Sequence, residues 1–228
     1  MITGLIGAMR VEVDALKEKM ENTVCETVSD IEFVRGTLCG REVVVAQCGV
    51  GKVFAALCAQ TMILRYGVGR IINTGVAGSL SKDLGLLDIA IADAVVQHDM
   101  DTSPLGDPVG LISGLNVVSM PADEALANTI EKAARAMGKH TARGVIASGD
   151  QFINGAEKKA WIAKTFGAIA CEMEGAAIGH VCTVNHIPFA VIRSISDNAG
   201  GEADMEFPEM ARRAAMQAQE LMLRVLES

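Results

Sequence analysis

"REVVVAQCGVGKVFAALCAQTMILRYGVGRIINTG" runs from Arg41 to Gly75. Val43 to Ala46 form a short apolar run, closed by Cys48-Gly49, which reads as a strand. From Gly51 the pattern opens on glycine and continues as a helix of about 15 residues. "RIINTG" is a second strand. The same alternation continues in both directions. Upstream, "MITGLIGAM" is a short apolar strand ending in Gly-Ala. "RVEVDALKEKMEN" then places Val11, Ala15 and Leu16 on one helical face with charges opposite. "IEFVRGTLCGREVVVAQCG" reads as a hairpin turning at Cys39-Gly40. Downstream come the strand "DIAIADAVVQH", a helix over Ala122–Met137, and the strand "ARGVIAS" running into "GDQFING". A helix near Glu157–Thr165, a short strand, a helix carrying Glu174, the strand "FAVIRSIS" and a C-terminal helix from about Phe207 complete the chain. Alternating strands and helices predict an α/β sheet with helices on both faces. No repeat, low-complexity segment or linker interrupts the 228 residues, so one domain over residues 1–228 is expected.

Composition narrows the function classes. The net charge is −8, and the densest basic spot, Arg212-Arg213, sits at helical spacing as a solvated face. That balance argues against nucleic acid. Of the six cysteines, none forms C-x-x-C, and most lie in apolar runs, so reduced core cysteines are expected. Cys182 and His186 have i,i+4 spacing without a second ligand pair, so no metal is expected. The first residues enter an apolar strand with no basic region or cleavage site, and no apolar run approaches the roughly 20 residues of a membrane span. A cytoplasmic protein without membrane contact is the expectation.

Polar residues at strand ends are where sites form in such folds. "CGVGKV" is not a phosphate loop, since Ala46 holds the place of its first glycine. Phe54 likewise breaks G-x-G-x-x-G, so no dinucleotide cofactor is expected. "NTGVAGSL" reads as a strand-to-helix glycine turn, which serves either tight packing or backbone amides approaching a ligand. "IACEMEGAAIGH" sets Glu172 and Glu174 two residues apart in apolar company. On a helix they diverge by roughly 200°, so they cannot form one carboxylate pair. A first-turn acid explains one of them; a carboxylate binding a sugar diol would explain the other. Arg193, inside an apolar strand, needs a carboxylate partner, and one of these glutamates is the natural candidate. Asp197 follows that strand as either a turn former or a site residue. Glu12 lies one turn past a strand end. Asp99 to Gly114 is long and aperiodic enough to point to function.

The segments "IGAMRVEVDAL", "GVGKVFAAL", "IINTGVAGSL", "ASGDQFING", "CEMEGAAIGHVC" and "VIRSISDNA", in this order, resemble the bacterial 5′-methylthioadenosine/S-adenosylhomocysteine nucleosidases of the purine nucleoside phosphorylase-like superfamily. The resemblance spans nearly the whole chain and implies a three-layer α/β sandwich with a mixed central sheet. It implies hydrolysis of the N-glycosidic bond of methylthioadenosine and adenosylhomocysteine in methionine salvage, without metal or cofactor. By position it makes Glu12 the general base for water and Asp197 the general acid toward adenine N7. Glu174 would grip the ribose hydroxyls over Met173, with Arg193 holding carboxylate and water geometry and Glu172 a supporting or helix-start acid. Phe152 would stack on adenine, with the backbone of Ile153 at its Watson–Crick edge. Ala77 and Gly78 would line the base pocket, and Met9, Val50 and Phe207 the 5′-alkylthio pocket. It also implies a homodimer whose 99–114 loop reaches the partner's site.

Two departures stand out. Val76 replaces a frequent serine, and Leu105 takes the place of the usual loop aromatic, which bears on the preferred 5′ group. The rivals are a purine nucleoside phosphorylase or a futalosine-type hydrolase of the same fold, and, from another class, a non-catalytic adenine-nucleoside sensor. A sensor has no use for Glu12.

Overall fold

The computed structural model describes residues 1–197 and 207–227, with side chains of residues 207 and 208 excepted. It contains ten strands and six α-helices. In chain order these are β1 (Thr3–Gly7), α1 (Arg10–Glu18), β2 (Glu21–Val28), β3 (Ile31–Leu38), β4 (Arg41–Gln47), α2 (Lys52–Tyr66), β5 (Arg70–Ser79) and β6 (Ile89–Gln97). Then follow β7 (Ser119–Pro121), α3 (Glu124–Ala136), β8 (Thr141–Ser148), α4 (Ala156–Phe166), β9 (Ala168–Glu172), α5 (Gly175–Val184), β10 (Phe189–Asp197) and α6 (Phe207–Glu227).

All ten strands join one mixed sheet in the order β10-β6-β8-β9-β5-β1-β4-β3-β2, with β7 on β6. β10 also pairs with β5, parallel, from Phe189 opposite Ile71 to Asp197 opposite Gly78. The sheet therefore curls back on itself around β5, and the carboxyl ends of β1, β5 and β10 converge.

The apolar strands are continuous because both faces are covered, as expected where helices flank parallel strands. Along β4, Val43 and Val45 enter one core and Val44 and Ala46 the other, following the two-residue alternation of a strand. Leu5 and Ile6 of β1 divide the same way. On one face Ala55, Cys58, Ala59 and Met62 of α2 pack with Ile178 and Cys182 of α5. On the other, Val13 and Leu16 of α1 meet Leu126 and Ile130 of α3 and Leu221 and Met222 of α6. This is the expected three-layer arrangement.

The hairpin turns at Cys39 and Gly40, both with positive φ (51° and 73°), as a two-residue hairpin turn requires. Four readings need correction. The first helix stops at Glu18, and Glu21–Val28 is instead a strand on the sheet edge. The buried face of α1 is Glu12, Val13 and Leu16 rather than Val11, Ala15 and Leu16, because its first turn faces a cavity at the end of β1. "NTGVAGSL" is no strand-to-helix turn, since β5 continues through Ser79. Cys25 and Cys39 are exposed, on the edge strand and the hairpin turn, while the other four cysteines are buried and free.

Candidate active site

A cavity of about 250 Å³ opens where β1, β5, β9 and β10 end. Met9, Glu12, Val50, Ala77, Gly78, Phe152, Ile153, Met173, Glu174 and Asp197 all line it. These are ten of the residues singled out in the sequence. Arg193 lies behind this lining, and Leu105 is 83% exposed on the 99–114 loop, away from it. Phe207 belongs to α6, but its side chain falls outside the described residues. Ala8, Val76, Gln151, Cys171, Glu172 and Ser196 complete the lining.

Glu12 is held at the start of α1. Its Oε2 accepts from the amides of Ala8 (2.7 Å) and Met9 (2.9 Å), and its Oε1 from that of Val76 (3.1 Å). The carboxylate therefore satisfies free amides of a helix start, as a capping acid does, while bridging to β5. This close approach explains Gly75: a Cβ there would lie 2.7 Å from Glu12 Oε1. Burial pushes the Glu12 carboxyl above its ordinary range, against the pull of its amide bonds and of Arg193.

Glu172 and Glu174 do not share a helix. Glu172 ends β9, and Glu174 is the residue on which α5 begins. Glu172 pairs with Arg193 and accepts from the Ser148 hydroxyl. It also accepts from the amides of Glu174 (3.1 Å) and Gly175 (2.8 Å). It is thus both a helix-start acid and the counter-ion of Arg193, whose guanidinium also donates to Asn73 and to the Ile192 carbonyl (2.8 Å). Every group in this buried cluster has a partner, the condition on which a buried ion pair persists. Glu174 instead turns to the cavity. Its Oε1 accepts from the Gly51 amide (2.8 Å). Burial first, and then the charge of Glu172, raise its carboxyl to about 7.

Asp197 closes the opposite wall. Its Oδ2 pairs with Nζ of Lys159 at 2.8 Å, and Ser196 Oγ lies 3.4 Å from its Oδ1. A Cβ on Gly78 would sit 2.9 Å from Asp197 Oδ2. Both glycines of "GVAG" are therefore fixed by carboxylates rather than by a turn. Lys159 was not anticipated. In "EKKAWIAK" it reads as solvated surface, yet it is only 3% exposed, and nothing in its neighbours signals the contact with β10.

The cavity thus sets one raised carboxyl, Glu12, and a second, Glu174, near the ends of β1 and β9. A third carboxylate, Asp197, lines the same cavity as Phe152 and Ile153. Among the described residues, no group of three or more His, Cys, Asp and Glu is placed to hold a metal, and no helix is long and apolar enough to cross a membrane.

Residues 3–227 match the family described as the Phosphorylase superfamily. The chain is 39% identical to a 5′-methylthioadenosine/S-adenosylhomocysteine nucleosidase of Shewanella sediminis over 229 aligned positions, covering 100% of this chain and 99% of that protein. The nucleosidase of the same name from Neisseria meningitidis, solved in complex with methylthio-immucillin-A, superposes with a TM-score of 0.93. It is 33% identical, with 99% and 98% of the two chains covered. A futalosine hydrolase of Helicobacter pylori superposes with a TM-score of 0.94 at 35% identity, over 100% and 97% of the chains.

Proposed function

The chain belongs to the Phosphorylase superfamily and, within it, to the 5′-methylthioadenosine/S-adenosylhomocysteine nucleosidases, and from that premise we propose that it hydrolyses the N-glycosidic bond of both nucleosides to release adenine and the 5-thio-ribose. The observation that carries this reading is the cavity placing Glu12, Glu174 and Asp197 around one small space.

Cleaving this bond leaves an oxocarbenium-like sugar and a purine anion. Glu12 removes a proton from water as it attacks the anomeric carbon. The burial that raises its carboxyl also makes its ionised form the stronger base. Asp197, entering the step protonated on the oxygen that Lys159 does not hold, donates that proton to N7, so adenine departs neutral, and the proton Glu12 takes from water closes the balance over the cycle. Lys159 holds Oδ2 of that carboxylate, which leaves Oδ1 toward the cavity. Glu174 accepts from the ribose hydroxyls and places negative charge near the developing cation. Met173 packs beneath the sugar. Arg193 and Glu172 act from behind, locking the turn on which Glu174 stands. Phe152 stacks on adenine, the Ile153 backbone reads its edge, and Ala77 and Gly78 line the base. Met9 and Val50 meet the 5′ group.

The functional unit is one domain over residues 1–228, acting as a cytoplasmic homodimer. Val53 (69% exposed), Phe54, Leu57 and Leu64 (75%) form an apolar stripe along α2, continued by Val50. Such a stripe at helical spacing on a surface marks an interaction face. A second copy seated there brings the 99–114 loop, with Leu105, to the neighbouring cavity.

Incubation with methylthioadenosine, adenosylhomocysteine, adenosine and a 6-oxopurine nucleoside tests the reading. Free adenine should appear fastest from the two thioethers, and EDTA should not slow it. The likeness to futalosine hydrolase supports a second reading, hydrolysis of futalosine. Preference for that substrate over both thioethers would favour it.

A further inference from the structure

The lysine of "CGVGKV" has no place in the chemistry above, and "GVGK" is no phosphate loop. Lys52 is nonetheless largely withdrawn from solvent, its side chain 19% exposed, and pairs with Asp99 (15% exposed) at 2.7 Å. Its Nζ also donates to Gln97 Oε1 (3.1 Å). The other oxygen of Asp99 accepts from the Asp150 amide at 2.9 Å. Asp150 in turn accepts the first amide of α2, Lys52 N, at 2.7 Å. Burial would raise the Asp99 carboxyl, but the bonds from Lys52 and Asp150 hold it below its ordinary range.

These contacts form a closed ring joining the loop before α2, the loop after β8 and the start of the 99–114 loop. One residue from the ring, the Gly51 amide bonds Glu174 Oε1. Gly51 has φ of 101°, and a Cβ there would lie 3.0 Å from Asp150 Oδ1. The direction of the Gly51 amide is therefore set by the ring. We propose that Lys52 is a positioning residue: through Asp99 and Asp150 it aims the Gly51 amide at Glu174 and so sets the grip on the ribose hydroxyls. This rests on Glu174 being the ribose ligand.

The test compares kcat/KM for methylthioadenosine and for its 3′-deoxy analogue in wild type, Lys52→Met, Asp99→Asn and Glu174→Gln. The Lys52 and Asp99 variants should lose about tenfold on the full substrate, within the ~10²-fold that a remote 1 Å misplacement can cost. They should lose little on the deoxy analogue, so discrimination between the two shrinks. A purely structural role would lower both alike, and that result in folded variants overturns the proposal, as does an unchanged ratio. Should Lys52→Met fail to fold, Asp99→Asn decides by the same ratio. Glu174→Gln separates the layers. If it alone loses discrimination, only the Lys52 assignment falls. If it keeps wild-type discrimination, the ribose role of Glu174 falls and the Lys52 assignment with it.

Discussion

Replacing Glu174 by glutamine removes one negative charge from a site where Glu12 and Glu172 supply two more, and the fold should gain from it. The Glu174 carboxyl is raised from 4.5 to about 7, chiefly by burial. Each pKa unit corresponds to about 1.4 kcal/mol, so holding this group ionised costs the native state about 3 kcal/mol. The sign follows from proton binding. The folded protein holds this proton more tightly than the unfolded chain, so its contribution is fully favourable below pH 4.5 and is lost as pH rises to about 7. Glutamine keeps an oxygen for the Gly51 amide and carries no charge at any pH. At pH 8 the variant should be more stable by about 2–3 kcal/mol, or about 4–12 °C in Tm for a chain of this size. At pH 5 only about a quarter of that advantage should remain. Thermal denaturation of both proteins at equal concentration, at pH 8 and pH 5, measures it, with kcat falling sharply alongside. A variant less stable at pH 8, or equally advantaged at both pH values, would refute the reasoning. The first result would mean that Arg193 stabilises the Glu174 carboxylate more than burial penalises it, and the second that the gain does not come from this carboxyl's proton.

Glu12 gives a kinetic counterpart: its raised carboxyl should make kcat/KM fall on the acid side at a pH above the ordinary carboxylate range, and Glu12→Gln should abolish both the limb and the activity. Asp197→Asn should cut turnover by about 10² or more, the scale of a general acid, in a protein whose circular dichroism is unchanged. Leu105→Phe should alter the ratio of kcat/KM between methylthioadenosine and adenosylhomocysteine more than kcat on either; an unchanged ratio would place the loop away from the 5′ group.

Much of this site is visible in the sequence because strand ends expose their residues in order. Glu12, Glu174 and Asp197 each follow an apolar run, and each lines the cavity. Arg193 inside "FAVIRSIS" demanded a carboxylate, and Glu172 supplies it. What the pattern hides has physical causes. "ENTVCETV" is an edge strand with little buried on either face, so it carries no alternation to read. The glycines of "NTGVAGSL" look like a turn, because a glycine required by a carboxylate from elsewhere in the chain is indistinguishable from one required by φ. Lys159 sits among charged helix residues, and only its ion pair with Asp197 at the end of β10 reveals why it is buried. The Lys52 ring is illegible for the same reason, its members lying at positions 52, 99 and 150.

Hydrolysis rather than phosphorolysis is the central claim. Phosphate binding calls for converging arginines. Here Arg193 is consumed by Glu172, and Arg10, its side chain 79% exposed, pairs with Asp14 at 3.2 Å. Glu12 and Glu174 make the cavity acidic, which repels a dianion and suits water. Incubating the protein with methylthioadenosine in phosphate buffer and identifying the sugar product decides the matter. The account predicts free 5-methylthioribose at a rate independent of phosphate. A 5-methylthioribose 1-phosphate product, formed at a phosphate-dependent rate, would contradict it and remove Glu12 from its role as the base.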